Sequence, residues 1–241
     1  MKRLDIYLFE NNFFVSRDKS KEAICSGVIS VNGKICKKPA EKVSDYDKIE
    51  IVGKTLKYVS RAGLKLEKAG ELWQIDFKNK IVLDVGASTG GFTDYAIING
   101  AKKVYAVDVG TDQLHEKLKN NSAVINLQKT DFRLMPILDD QIDIAVCDCS
   151  FISLKLLSKK FCEVLNSGKH LVVLIKPQFE CGKEMANKYK GVIKDEKLQD
   201  AIKQDIICHF ENVGFKLIGS CESPILGTSG NKEFLAYFVK K

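Results

Sequence analysis

No stretch of these 241 residues approaches the roughly 20 consecutive apolar positions that a bilayer-spanning helix needs, the run from His170 to Ile175 being a short buried-strand pattern. No strongly apolar amphipathic face is visible either, so neither spanning nor lysing a membrane is expected. No secretion signal is expected either, because Asp5, Glu10 and Asn11 interrupt the apolar core that should follow Met1-Lys2-Arg3. The eight cysteines form no C-x-x-C pair and sit singly in candidate strands and helices. That spacing argues against a zinc cluster and against a disulfide framework, so the expectation is reduced thiols in a cytoplasmic protein with no obligatory metal. Internal repeats and low-complexity tracts are absent as well.

What the chain has is length for one ordinary domain plus a small one, and an apolar fraction of 45% to fill a core. Its 38 Lys and Arg against 31 Asp and Glu give a formal charge of +7, which favours a polyanionic partner. Residues 1–57 hold twelve of those cations against eight carboxylates. Leu4 to Phe9 suits a helix, Ser16 can cap a second one running to Cys25, and Gly27 can end it. Val28 to Val31 and Lys34 to Cys36 flank Asn32-Gly33, a strong hairpin-turn signal, and Ile49 to Val52 supplies a further strand. Over nearly its whole length this small α+β segment resembles the S4 RNA-binding domain. The resemblance implies a two-helix face and a hairpin lying against structured RNA, which is read by shape and phosphate rather than by base sequence. Arg3, Arg17, Lys19, Lys21, Lys34, Lys37 and Lys38 are the cations expected near phosphate, with Arg61 joining them beyond a connector at 53–60.

The run Leu83 to Thr93 carries the strongest chemical signal. Ile81 to Val85 suits a buried parallel strand, and the glycines after it let backbone approach a ligand before a helix starts near Gly91. The spacing Gly86-x-x-x-Gly90-Gly91 is not the G-x-G-x-x-G that seats a pyrophosphate on a helix N-terminus. S-adenosylmethionine carries no phosphate, yet its ribose needs an acidic acceptor at the next strand end, where Asp108 follows Lys103 to Val107. Asp131 ends the segment Val124 to Thr130, where an adenine amino group would lie. The expected cofactor contacts are Asp84, Gly86, Ala87, Ser88, Gly90, Gly91, Phe92, Asp108, Val109, Asp131, Phe132 and Asp148, although a glycine turn can also serve geometry alone.

Beyond the connector, Leu64 to Leu72 suits an amphipathic helix with Leu64, Leu66, Ala69 and Leu72 on one face. Strands near 81, 103, 123, 142 and 170 alternate with helices near 91, 111, 152 and 194, the pattern of a parallel sheet covered on both faces. Phe215 to Cys221 and Glu233 to Val239 should close it as an antiparallel hairpin. Ligands of such sheets bind at the carboxyl ends of the strands. Asp148 ends one strand, Lys176 ends the next, and Glu233 returns to the same edge, so with Lys65 they form a candidate Lys-Asp-Lys-Glu cluster. Ser150 reads as a helix cap, Phe151 as a cofactor neighbour or a core residue, and His115 and His209 as helix-surface residues.

The matching segments are 60–66, Asp84–Thr93, Asp108–Gly110, Asp148–Leu154, Leu174–Glu180 and Ser229–Phe234. With them the chain closely resembles, over essentially its whole length, the TlyA family of hemolysin A proteins, whose catalytic domain groups with FtsJ-like ribose methyltransferases. The resemblance implies a Rossmann-like, seven-stranded S-adenosylmethionine-dependent methyltransferase sheet over 58–241, behind a small α+β S4-like domain over 1–57. It implies that Lys65, Asp148, Lys176 and Glu233 are the catalytic tetrad. It also implies a cytidine 2′-hydroxyl of ribosomal RNA, free or within a ribosomal subunit, as substrate. Ala62 stands where the family often has glycine, and Tyr58 where some connectors have tryptophan. Short members are associated with the large-subunit target alone, which makes 23S RNA the expected one.

A ribose hydroxyl is a poor nucleophile whose attack on a sulfonium methyl needs in-line geometry and removal of its proton. A lysine takes that proton where burial or a neighbouring cation favours its neutral form. Lys176 is the expected acceptor, with Lys65 close enough to press on it and with Asp148 and Glu233 orienting the ammonium groups. Two rival methylations fit less well. An exocyclic-amine enzyme expects two prolines and an aromatic after the fourth strand, where this chain has Asp148-Cys149-Ser150-Phe151. A carbon-5 pyrimidine enzyme needs an activated thiolate, for which Cys149 is the nearby residue. A noncatalytic ribosome-binding assembly factor would keep the fold without needing the tetrad.

Overall fold

The computed structural model describes every residue except 15, 53–56, 183, 184, 186, 187, 190, 228 and 229. The expected connector at 53–60 therefore lies partly outside the described residues. By its internal packing the chain divides into two compact units, Met1–Lys57 and Tyr58–Lys241.

The first unit runs β1 (Lys2–Arg3), α1 (Leu4–Glu10), α2 (Arg17–Cys25), β2 (Ile29–Val31), β3 (Lys34–Ile35), β4 (Lys42–Val43) and β5 (Ile49–Ile51). Leu4, Leu8, Ala23, Ile24, Ile29 and Val43 form its core, so both helices lay one face on the strands. The strand pair β2 and β3 turns at Asn32 and Gly33, whose φ of 52° and 77° are what a two-residue hairpin turn requires. Asn32 then bonds Asp47 and the backbone of Lys48, which fixes β5 along the other side of β2. Ser16 caps α2 as expected, its Oγ accepting from the Lys19 amide at 3.2 Å. The pairing of β1 with β4 was not expected, because two-residue strands carry no periodicity to read.

The second unit contains α3 (Ala62–Trp73), β6 (Ile81–Val85), α4 (Gly91–Ile98), β7 (Lys103–Val107), α5 (Glu116–Lys119), β8 (Val124–Leu127), β9 (Ile144–Cys147) and α6 (Lys155–Val164). It ends with β10 (His170–Ile175), α7 (Pro177–Glu180), α8 (Glu196–Asn212), β11 (Phe215–Glu222) and β12 (Phe234–Lys240). Seven strands make one sheet in the order β11-β12-β10-β9-β6-β7-β8. The five from β10 to β8 are parallel, and β12 lies antiparallel between β10 and β11, which is the expected closing hairpin. Both faces are covered, hence the near-continuous apolar runs. Leu83, Val85, Phe161, Phe210 and Phe238 pack on one side, and Leu66, Val82, Ala96, Val104 and Ile144 on the other. From β6 the chain steps outward to β8 and then returns to β9 on the opposite flank of β6. The carboxyl ends of β6 and β9 therefore border a crevice where strand order reverses, the usual ligand site of an open α/β sheet.

Four expected boundaries shift. The helix placed near 111 is the single turn α5, and the strands placed at 142 and through Thr130 span Ile144–Cys147 and Val124–Leu127. The helix placed near 152 begins at Lys155, because Ser153 and Leu154 are held from outside the segment, as described below. On α3 the buried side runs through Gly63, Lys65, Leu66, Ala69 and Gly70. Leu72, assigned to that side, is 48% exposed. Glycine sets the approach of α3 to α4: a Cβ on Gly91 would stand 2.4 Å from Ser60 Oγ and 2.8 Å from the Gly63 nitrogen. Among the described residues no helix is long and apolar enough to cross a membrane.

Candidate active site

Four charged side chains from four separate elements meet at the carboxyl edge of β9 and β10. Asp148 follows β9 directly, and Lys176 follows β10, where Pro177 begins α7. Glu233 precedes β12, whose antiparallel course returns it to that edge, and Lys65 projects from α3. Lys176 Nζ lies 2.6 Å from Asp148 Oδ1, Lys65 Nζ lies 3.3 Å from Asp148 Oδ2, and Lys65 Nζ lies 2.8 Å from Glu233 Oε2. Lys65, Lys176 and Glu233 are each under 9% exposed. Two cations and two carboxylates in alternation cancel in charge, so each desolvated group has its counterion. The nearest charge to Lys176 is Asp148 rather than Lys65, which differs from the direct cationic pressure expected of Lys65.

Beside this cluster is a cleft of about 350 Å³. Of the expected cofactor residues it is lined by Gly86, Ser88, Asp108, Val109, Asp131, Phe132 and Asp148. Gly86 sits at φ 81°, and a Cβ there would come within 3.1 Å of Cys149 backbone, so glycine is what lets the β6 turn close on the β9 end. Asp108 organises its own loop by accepting from the Ser88 amide at 2.8 Å and the Gly110 amide at 2.7 Å. Hydrogen bonds from Arg133 hold Asp131 below the usual carboxylate range. Among the described residues three carboxylates and no Lys, Arg or His line the cleft, but Asp148 is paired with Lys65 and Lys176 and Asp131 with Arg133, so of the three Asp108 alone has no cationic partner there.

Five expected contacts do not line the cleft. Ala87 packs with Ala106, Leu114, Leu118 and Val124. A Cβ on Gly90 would strike Leu118 and Leu114, Gly91 serves the α3 contact, and Phe92, 2% exposed, belongs to the core. Asp84 lies directly behind Val85 and Gly86, enclosed by the sheet and α4. Its Oδ2 accepts from Thr93 Oγ1 at 2.6 Å, its buried Oδ1 has no hydrogen-bond partner among the described residues, and burial pushes its pKa up to about 7.

Several cleft residues were not anticipated as ligands: Gln113, Thr130, Cys149, Ser150, Ile152 and Leu157. Ser150 is not a helix cap, since its Oγ lies 2.8 Å from Lys176 Nζ while Ser153 Oγ accepts from the Lys155 amide at 3.2 Å. Phe151 is no core residue, being 90% exposed, with its ring centroid 5.0 Å from that of Phe179. Both histidines have partners: His115 Nδ1 accepts from the Lys117 amide, and His209 Nε2 lies 2.8 Å from Ser158 Oγ. The Cys149 thiol and then burial push the Cys147 thiol well above its ordinary pKa. All eight cysteines are free.

In the first unit Lys34, Lys37 and Lys38 are exposed on and after the hairpin. Arg3 and Arg17 instead converge on Asp5, each 2.9 Å from one of its oxygens, and Lys21 pairs with Asp18. Lys19 is half-buried on α2, and Arg61, half-buried, opens α3 in the second unit. The two arginines are therefore partly occupied in holding a fully buried carboxylate.

A family model for the FtsJ-like methyltransferase matches residues 58–240, and one for the S4 domain matches residues 2–49. The chain is 43% identical to "Hemolysin A" of Brachyspira hyodysenteriae, covering 98% of this chain and 99% of that one. It is 35% identical to the "23S rRNA (cytidine-2'-O)-methyltransferase TlyA" of Campylobacter jejuni, over 94% of this chain and 95% of that one. A solved structure of a candidate hemolysin from Streptococcus thermophilus superposes with a TM-score of 0.79 at 37% identity, covering 100% of this chain and 88% of that one.

Proposed function

The chain belongs to the FtsJ-like methyltransferase family, and from that premise we propose that it uses S-adenosylmethionine to methylate a cytidine ribose 2′-hydroxyl in ribosomal RNA, with 23S RNA as the target. The observation that carries this reading is the meeting of Lys65, Asp148, Lys176 and Glu233 beside a cleft that Asp108 lines and that, among the described residues, no cation lines. A donor with sulfonium and ammonium charges and no phosphate fits such a lining. Asp108 suits the ribose hydroxyls, because each of its oxygens accepts one backbone amide and keeps a second lone pair, whereas Asp131, both of whose oxygens accept from Arg133, would exchange one of those bonds for an adenine amino group. When bound, the cofactor supplies an electrophilic methyl carbon.

The protein's part is to receive the substrate and to take a proton. We assign the proton to Lys176, which Asp148 orients, while Lys65, held by Glu233, fixes the other oxygen of Asp148. The bridging position of Asp148 makes orientation, rather than direct repulsion, the role of Lys65. The basic hairpin of the S4-like unit is assigned to RNA docking, and a ribosomal substrate places the reaction in the cytoplasm. A test incubates the protein with methyl-tritiated donor and separated ribosomal subunits from a strain lacking the modification, then maps the label. Label on one cytidine ribose of the large-subunit RNA is expected; label on a base, or none on either subunit, would reject the reading.

A further inference from the structure

We propose that Ser150 is a fifth member of the reaction machinery, the hydroxyl through which the substrate's proton reaches Lys176; this rests on the assignment of Lys176 as the acceptor. Lys176 is 7% exposed and does not line the cleft, whereas Ser150 is exposed and does. Three oxygens surround Lys176 Nζ: Asp148 Oδ1 at 2.6 Å, Ser150 Oγ at 2.8 Å and the Asp148 carbonyl at 3.4 Å. An ammonium has three N–H groups and uses all of them here, but the amine that accepts a proton has two N–H groups and one lone pair. A carboxylate and a carbonyl can only accept, so they take the two N–H groups. The lone pair is left facing Ser150, which alone of the three neighbours can donate.

The local backbone keeps Ser150 available for this. At the start of α6 the Lys155 amide donates to Ser153 Oγ at 3.2 Å and the Leu154 amide to Glu180 at 2.9 Å, so the Ser150 hydroxyl is not drawn into the helix start. At the next residue Phe151 adopts φ 66°, a conformation that a bulky side chain seldom takes and that persists where surrounding contacts impose it. That turn separates an outward aromatic ring from a serine directed at Lys176.

In the reaction the proton of the 2′-hydroxyl passes to Ser150 Oγ as the proton of Ser150 passes to Lys176 Nζ. The oxygen-carbon bond forms as the carbon-sulfur bond breaks, with the latter's electron pair remaining on sulfur. The products are a methyl ether, a thioether, an unchanged serine and a lysine ammonium, so the positive charge moves from sulfur to nitrogen. Release of one proton to solvent resets the lysine.

The test uses the full-length chain in single turnover with methyl-tritiated S-adenosylmethionine and ribosomal subunits lacking the modification. Ser150→Ala should slow methyl transfer about 100-fold or more while leaving donor affinity within about twofold, and Ser150→Thr should restore most of the rate. In mixtures of light and heavy water the native rate should fall along a curve, because two protons move together, and the Ser150→Ala rate along a straight line. A straight line for the native protein overturns the proposal whatever the variants do. Native speed in Ser150→Ala with Lys176→Ala inactive also overturns it and leaves Lys176 as acceptor. Native speed in Lys176→Ala removes the acceptor assignment itself.

Discussion

Asp84 illustrates how a single side chain can report on its surroundings. Burial between β6 and α4 raises its pKa to about 7, against an ordinary value near 3.9, and the Thr93 hydroxyl offsets only part of that. The neutral form therefore prevails below about pH 7. Its contribution to stability is therefore fully present below about pH 4 and is lost as pH rises from there through about 7. Asp84→Asn keeps an acceptor for Thr93 without a titrating group, so thermal melts between pH 4 and pH 8 should show a shallower decline in the variant. Parallel profiles would argue against the buried-acid account. Within the tetrad, Lys176→Ala should abolish turnover by about 100-fold or more with donor binding retained, and Glu233→Gln should cost less, because Lys65 still has Asp148. Single-turnover rates and equilibrium dialysis of the donor separate the two effects.

Between elements, the join of β9 to α6 depends on a residue 26 positions further on. Glu180 at the end of α7 accepts from Ser153 Oγ at 2.5 Å and from the Leu154 amide at 2.9 Å, tying the loop that carries Asp148 and Ser150 to the segment that carries Lys176. Glu180→Ala leaves both donors without their acceptor and should lower stability by about 1 to 3 kcal/mol, measured by denaturant unfolding. It should also lower turnover more than donor affinity. This clamp explains why the sequence misplaced the start of α6: a local Ser-x-x pattern after Asp148 suggests a cap, and nothing local announces a distant carboxylate. The strands and their carboxyl ends were legible, because a fully covered parallel sheet imposes apolar runs that stop where acids begin at Asp108 and Asp148. The glycines were less so. Gly86 closes the cleft and Gly91 closes a helix contact, yet both are the same letter in one turn, and only three-dimensional neighbours distinguish them. Asp148, Lys176 and Glu233 were legible as charges at one sheet edge and Lys65 as a candidate fourth, while their joint catalytic role came from the family resemblance, since no periodicity joins Lys65 to Glu233.

For the molecule as a whole, the first unit is small, and a unit of about 60 residues buries little surface per residue. Its fully buried Asp5 is accordingly important. Burial alone would raise this carboxyl, but Arg3 and Arg17 together outweigh burial and hold it below the ordinary range. That stabilisation is present above about pH 4 and disappears as pH falls through the lowered value. Asp5→Ala should cost roughly 2 to 4 kcal/mol and speed amide exchange within residues 1–57, with exchange in the sheet of the second unit unchanged. Faster exchange throughout both units would contradict the division. RNA affinity should respond to other residues. Replacing Lys34, Lys37 and Lys38 by alanine should reduce the slope of log affinity against log salt by about 2, at roughly 0.7 to 0.9 per phosphate contact, without altering stability.

The sheet order also sets when the enzyme can first work. Strand β12, bearing Glu233 at its start, is the last of the seven to be synthesised, yet it fills an interior place between β10 and β11. A nascent chain emerging at about 5 to 20 residues per second exposes the donor cleft well before that gap is filled. Until it is, Lys65 lacks one of its two carboxylates and the flank of β10 has no partner strand, so the growing polypeptide meets the ribosome that is making it with its charge cluster incomplete.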